Sequence, residues 1–178
     1  MNDALLLVDL IATFEHDDGE ALLASFRKRQ TAMVAALERA RGAGVPVVYA
    51  NDNVGIWDGD APALVRRALA GPGGDVLRPL VPREGERFVV KPRYSAFDHT
   101  PLDLILRDLE VERILLAGAA TEMCVVQTAI AAREIGFKVS VLTNACATTD
   151  ERLERLSFVY LEEVVGARLE QATSRADA

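Results

Sequence analysis

Short, nearly unbroken apolar runs alternate along this chain with longer stretches whose apolar residues recur every three or four positions. The first pattern suits strands buried on both faces and the second suits amphipathic helices, so their alternation predicts a mostly parallel sheet wrapped by helices on both sides. The opening run covers residues 4–8 and ends at Asp9. Residues 19–41 then place Leu22, Leu23, Phe26, Met33, Val34 and Leu37 at near-helical spacing, and Gly42 and Gly44 close that helix. Residues 45–50 read as the second strand, 63–70 as a short helix, 71–74 as a glycine-rich loop and 87–91 as the third strand. Thr100-Pro101 opens a helix running to residue 108, residues 113–117 form the fourth strand, and Gly118 breaks it. Residues 122–135 then form a helix, 138–142 the fifth strand, 150–164 the last helix and 166–169 a weak sixth strand.

Composition narrows the class. The chain has 178 residues, half of them apolar and a quarter charged, which fits one compact α/β domain over residues 1–178 with a core that needs no disulfide or metal. Residues 171–178 are small and polar enough to fray. With 27 acidic against 20 basic residues there is no basic stripe for a phosphate backbone, so nucleic acid is not an expected partner. No apolar run approaches the length of about 18 residues that a membrane span needs, and no charged-then-apolar leader opens the chain. Two cysteines and no leader point to a reduced, cytoplasmic protein. A dinucleotide site is also unexpected: Gly42-Ala43-Gly44 precedes a strand instead of following one, and no third glycine comes in register.

Ligands of an open parallel sheet bind beyond the carboxyl ends of its strands, where the strand order reverses. Asp9 ends the first strand, Lys91 ends the third, and Cys124 lies just past the fourth in the first turn of a helix, so three reactive residues distant in sequence can meet there. A helix start stabilises negative charge, and together with a lysine nearby it would favour a Cys124 thiolate. Asp9, partly desolvated at a strand tip, would accept and later return a proton. Each residue has a plainer alternative: an inert buried cysteine, a turn-capping aspartate, a solvated lysine. Cys146 reads as structural, His16 and His99 as exposed loop histidines among aspartates, and Glu151, Glu154, Glu162 and Glu163 as a solvated helix face.

Three segments together carry a family resemblance: Asp9 with Phe14 downstream, the string Lys91-Pro92-Arg93-Tyr94-Ser95-Ala96-Phe97, and Gly118 through Val125 with its Gly-x-x-Thr-x-x-Cys-Val pattern. They resemble the isochorismatase-like cysteine hydrolases, which include nicotinamidases and N-carbamoylsarcosine amidases, over nearly the whole chain. The resemblance implies a three-layer α/β/α fold around a six-stranded sheet and an Asp9–Lys91–Cys124 catalytic triad. It also implies a non-proline cis peptide from Ala119 to Ala120, and an oxyanion hole formed by the backbone N–H groups of Ala120 and Cys124. The reaction expected from it is hydrolysis of a C–N bond in a small amide, ureide or carbamoyl compound through a Cys124 thioester, in a homodimer or homotetramer.

Departures from the family pattern shape the rest. Nicotinamidases carry an Asp-x-His pair after strand two that helps bind a metal; here the stretch is Asn51-Asp52-Asn53-Val54-Gly55-Ile56-Trp57, with Asn53 in the histidine's place. The expectation is therefore no metal, no other cofactor, and a substrate other than nicotinamide. Ile11 stands where the family's Asp-x-Gln motif has glutamine, which removes a polar substrate contact. Phe14, Asn51, Asn53, Trp57 and Tyr94 are the candidate substrate-binding residues, and Arg93 is a weaker one. Two alternatives remain open: a hydrolase-like scaffold that binds a small molecule or protein without turnover, and a vinyl-ether hydrolase of the isochorismatase type. Relatives of the latter type carry glycine at the nucleophile position, so Cys124 argues against it.

Overall fold

The computed structural model describes residues 2–52, 55 and 59–173. Its strands are β1 Asp3–Val8, β2 Val47–Asp52, β3 Arg87–Lys91, β4 Arg113–Gly118, β5 Lys138–Cys146 and β6 Arg168–Glu170. Its helices are α1 Gly19–Gly42, α2 Ala61–Ala70, α3 Gly74–Leu77, α4 Leu102–Asp108, α5 Val126–Glu134 and α6 Glu151–Tyr160. The strands form one all-parallel sheet in the order β3-β2-β1-β4-β5-β6. The chain builds outward from β1 to β3, returns to the centre, and builds the other way from β4, so the strand order reverses between β1 and β4.

Period-two alternation in β1 explains the layers. Leu5 and Leu7 face a core shared with α1, α2 and the turn holding Val76 and Leu77, whereas Ala4, Leu6 and Val8 face a second core with α4, α5 and Leu161. Both faces of β1 are buried, which is why it reads as an unbroken apolar run. The expected three-layer α/β/α arrangement is thus present.

Several boundaries differ from the pattern, each for a local reason. Strand β2 begins at Val47 because the Val45 N–H ends α1 by donating to the Ala40 carbonyl and Pro46 has no N–H to give a ladder. The glycine-rich loop stops a residue short: Gly74 opens α3, continued by a 3₁₀ turn over Arg78–Leu80, and Val76, Leu77 and Leu80 enter the core. A Cβ on Gly73 would lie 2.2 Å from the Phe14 ring, so glycine there lets this segment close over Phe14. The helix expected over 122–135 is split into a wide π-type turn, Thr121–Val125, and α5. Strand β5 runs on to Cys146 through polar residues that an apolar pattern omits, with Thr143 and Asn144 bonded to the backbone of Glu170 and Ala172. Gln171, Ala172 and Thr173 are held by side-chain bonds to Thr143, Asn144 and Arg39, so the ordered chain continues past the expected start of fraying. Among the described residues, no helix is long and apolar enough to cross a membrane.

Candidate active site

Gly118 ends β4 beside Val8 with φ of 130°, and a Cβ there would lie 1.9 Å from the Val8 carbonyl oxygen. Only glycine lets the strands approach this closely and turn the chain into the Ala119–Ala120 link, which is a cis peptide, and then into the π-type turn that carries Cys124. Asp9, one residue beyond β1, takes a left-handed conformation (φ 47°) that aspartate tolerates better than most side chains. Lys91 ends β3 and reaches back toward the centre of the sheet. Asp9, Lys91 and Cys124 therefore meet at the carboxyl ends of the strands, where the order reverses.

Lys91 Nζ lies 2.7 Å from Asp9 Oδ2 and 3.5 Å from Cys124 Sγ, and it donates to the Arg93 carbonyl at 2.9 Å. The other Asp9 oxygen accepts the Asp52 N–H at 2.6 Å. The lysine is almost wholly buried, with a relative exposure of 1%. Burial pushes the Asp9 carboxyl above its ordinary range, and the Lys91 charge only partly offsets this. Burial by itself would lower Lys91, but the charges of Asp9 and Cys124 outweigh it and the ammonium holds its proton. The Cys124 thiol is pushed up to about 12, by burial first and then by the Asp9 carboxylate. This reverses the expectation of a resting thiolate at a helix start: desolvation and a neighbouring anion outweigh the turn and the lysine. Burial and the neighbouring anion favour the thiol form of Cys124, beside a carboxylate whose basicity burial raises.

Two cavities flank the trio and share Asp52. One, of about 490 Å³, is lined by Lys91, Arg93, Tyr94, Ser95, Cys124 and Gln127. The other, of about 500 Å³, is lined by Asp9, Ile11, Phe14, Ala119, Ala120 and Met123, with Glu15, His16 and Arg67 at its rim. Ile11 thus presents an apolar side chain where the resemblance implies an amide. Phe14 is buried in the wall, edge-on to Phe26 at 5.1 Å, and Tyr94 stands half exposed at the mouth of the first cavity. The Ala120 N–H makes no hydrogen bond among the described residues. Asn51 borders the second cavity, but its side-chain amide pairs with both the N–H and the carbonyl of Ile11 at 2.9 Å, so it positions the loop after Asp9. Asn53 and Trp57 lie outside the described residues. The Arg93 guanidinium points to Asp98, 3.4 Å away, and it is the Arg93 carbonyl that touches the trio. His99 is exposed beside Asp98, whereas His16, also exposed, reaches a cavity rim.

One cluster beside the site escapes the sequence pattern. Glu154 is buried, not solvated: Arg29 binds both of its oxygens, at 2.5 and 2.7 Å, and Thr121 Oγ1 donates to it at 2.9 Å. Arg29 also donates to the Cys146 carbonyl. Glu122, next to Thr121, accepts from the Thr148 and Thr149 hydroxyls and the Thr149 N–H. These bonds tie the cysteine-bearing turn to α1, α6 and the loop after β5. The only local signal for Glu154 was its position four residues after the helix-capping Asp150.

Comparison with known proteins agrees with this geometry. The sequence pattern of the isochorismatase domain matches residues 3–173. The chain belongs to the isochorismatase family. Within that family it is 29% identical over 166 residues to the uncharacterized isochorismatase family protein YaaI of Bacillus subtilis, covering 93% of this chain and 92% of that one. It is 30% identical to the ureidoacrylate amidohydrolase RutB of Cronobacter sakazakii over 70% of this chain and 66% of the relative. Among solved structures, the N-carbamoylsarcosine amidase of Thermoplasma acidophilum superposes with a TM-score of 0.74 at 27% identity over 98% of each chain. The nicotinamidase PncA of Bacillus subtilis shares the fold, with a TM-score of 0.78 at 24% identity over 96% of this chain and all of that one. Among the described residues of this family member, no three His, Cys, Asp or Glu side chains converge as a metal site would require.

Proposed function

We propose that this isochorismatase-family protein is a cysteine hydrolase of small amides, ureides or carbamoyl compounds, with Cys124 as nucleophile, Asp9 as proton acceptor and donor, and Lys91 as the fixed positive charge. The observation that carries this reading is the convergence of one ammonium on a carboxylate at 2.7 Å and a thiol sulfur at 3.5 Å, at the reversal point of the sheet. Asp9, held more basic than an ordinary carboxylate, takes the thiol proton as the sulfur attacks the carbonyl carbon. Lys91 stays protonated and stabilises the sulfur anion as it forms. The N–H groups of Ala120 and Cys124 receive the oxyanion, and the departing amine or ammonia takes the proton back from Asp9. Water, deprotonated by the same carboxylate, then cleaves the thioester. The relatives named as an ureidoacrylate amidohydrolase and an N-carbamoylsarcosine amidase support a C–N bond as the target.

Phe14 and Tyr94 would shape the substrate pocket, with Ile11 favouring an apolar group on the Asp9 side. The reading includes no metal or organic cofactor, a cytoplasmic setting and a homo-oligomeric assembly. The test is a panel of neutral amides, ureides and carbamoyl compounds assayed for amine or ammonia release, with intact-mass detection of an acyl adduct on Cys124. Turnover that survives chelation and falls by about 10⁴-fold or more in Cys124→Ala is expected. Absence of both turnover and adduct, with Cys124 inert to alkylation, would replace this reading with a binding scaffold.

A further inference from the structure

Among the described residues, the largest concentration of exposed apolar side chains lies far along the chain from the trio. Leu153, Leu156, Val159, Tyr160 and Val164 are all between 38% and 66% exposed, and all lie on α6 or on the π-type turn Leu161–Val165 that prolongs it. The opposite face of the same helix is buried through Glu154 and Leu161. The helix thus seats Glu154 and the following Leu161 inward and leaves an outer apolar strip, of a kind that marks an interaction surface.

Along the outer strip itself the charges run from basic to acidic, although Asp150 and Glu151 also stand near the arginines at the helix start. Arg152 and Arg155 lie at the start of the strip, Glu162 and Glu163 at its end, all four are exposed, and among the described residues none forms an ion pair within the chain. Along the outer face Arg152, Leu156, Val159 and Glu163 follow one another at spacings of four, three and four, which puts them in one line. That line is its own complement when reversed. The pairs Arg152/Glu163 and Leu156/Val159 are both centred between Ser157 and Phe158.

We propose that α6 is the centre of a two-fold interface with a second copy of this chain, the two helices packing antiparallel about an axis through Ser157 and Phe158. In that arrangement Leu156 of each copy meets Val159 of the other, and Arg152 meets Glu163. A parallel arrangement would bring Arg152 against Arg152 and Glu163 against Glu163, so the charge order selects one orientation. An isologous contact of this kind closes after two copies. The 15 residues from Glu151 to Val165 span about 22 Å at the helical rise, enough for the centre of an interface.

This inference rests on the homo-oligomeric part of the proposed function and is independent of its chemistry. The experiment is sedimentation equilibrium of the wild-type chain, Leu156→Arg, Arg152→Glu, Glu163→Arg and the double charge reversal Arg152→Glu/Glu163→Arg, with circular dichroism to verify folding. Leu156→Arg is expected to weaken self-association by about 100-fold or more. Each single reversal puts like charges together and weakens it by about 10-fold, and the double reversal restores it to within about threefold of wild type. A wild-type chain that stays monomeric at high concentration overturns both the assembly and this surface. An assembly that persists unchanged in Leu156→Arg, or single reversals that the double fails to rescue, overturns this surface alone and leaves the assembly standing.

Discussion

The Arg29–Glu154 and Lys91–Asp9 pairs are both short, both largely removed from water, and both attached to the segment that carries Cys124, yet they are built differently. In the first, two parallel bonds join guanidinium to carboxylate, Thr121 supplies a further donor, and the Cys146 carbonyl takes a remaining guanidinium N–H. Burial would lower Arg29, but the bonds and charge of Glu154 outweigh it and hold the guanidinium charged. In the second, burial wins over the counter-charge at Asp9 and leaves a carboxylate that is a better base than usual, beside a protonated sulfur and two cavities. A matched buried pair holds a turn in place, whereas a pair whose carboxylate is desolvated more than its partners offset holds a proton ready to move.

Breaking the matched pair should have the largest effect on stability. Arg29→Met leaves the Glu154 carboxylate buried without its partner and is expected to cost about 3 kcal/mol in urea unfolding, whereas Arg29→Met/Glu154→Leu recovers most of that loss. If the double variant is no more stable than the single, the pair is not the clamp described here. The trio should respond in opposite directions to removal of its two charges. Asp9→Asn removes an anion and lets the Cys124 thiol, held at about 12, ionise more readily, while Lys91→Met raises it further. The pH profile of iodoacetamide alkylation, with Cys146→Ser as background, reads both; shifts of the same sign would dissolve the contrast.

At neutral pH the smallest effect belongs to the sulfurs beside the two pairs, whose ionisation bears on stability only in alkaline solution. Burial pushes both Cys124 and Cys146 to about 12 from an ordinary value near 9. Each folded-state thiol keeps its proton where the unfolded chain has lost it, so this contribution is whole below pH 9 and is lost as pH rises toward 12. Stability should decline over that window by at most about 1.4 kcal/mol per pH unit per thiol, and Cys146→Ala should flatten the decline. An unchanged slope in that variant would mean that Cys146 ionises alike in both states.

How legible these features are in the sequence depends on how local their causes are. Asp9 and Lys91 stand out because each ends an apolar run, and Cys124 because it follows a small-residue loop after another such run. Ile11 is legible as an apolar residue in a normally polar place, but only the fold puts it in the wall of the Asp9-side cavity. Asn51 reads as a candidate for substrate contact, but its amide pairs with the Ile11 backbone, 40 residues away. Glu154 reads in sequence as one of several solvated acids, because Arg29, 125 residues distant, is what allows its burial.

By itself, then, the sequence determined the order of strands and helices, the two-sided burial of the sheet, and which three reactive residues end up at its carboxyl edge. These follow from hydrophobic period and turn chemistry, which are properties of neighbouring residues. Only the tertiary structure decided the protonation of Cys124, the pairing of Glu154 and the unpartnered outer face of α6. Desolvation and charge pairing depend on atoms brought together from distant parts of the chain, and no local pattern carries that information.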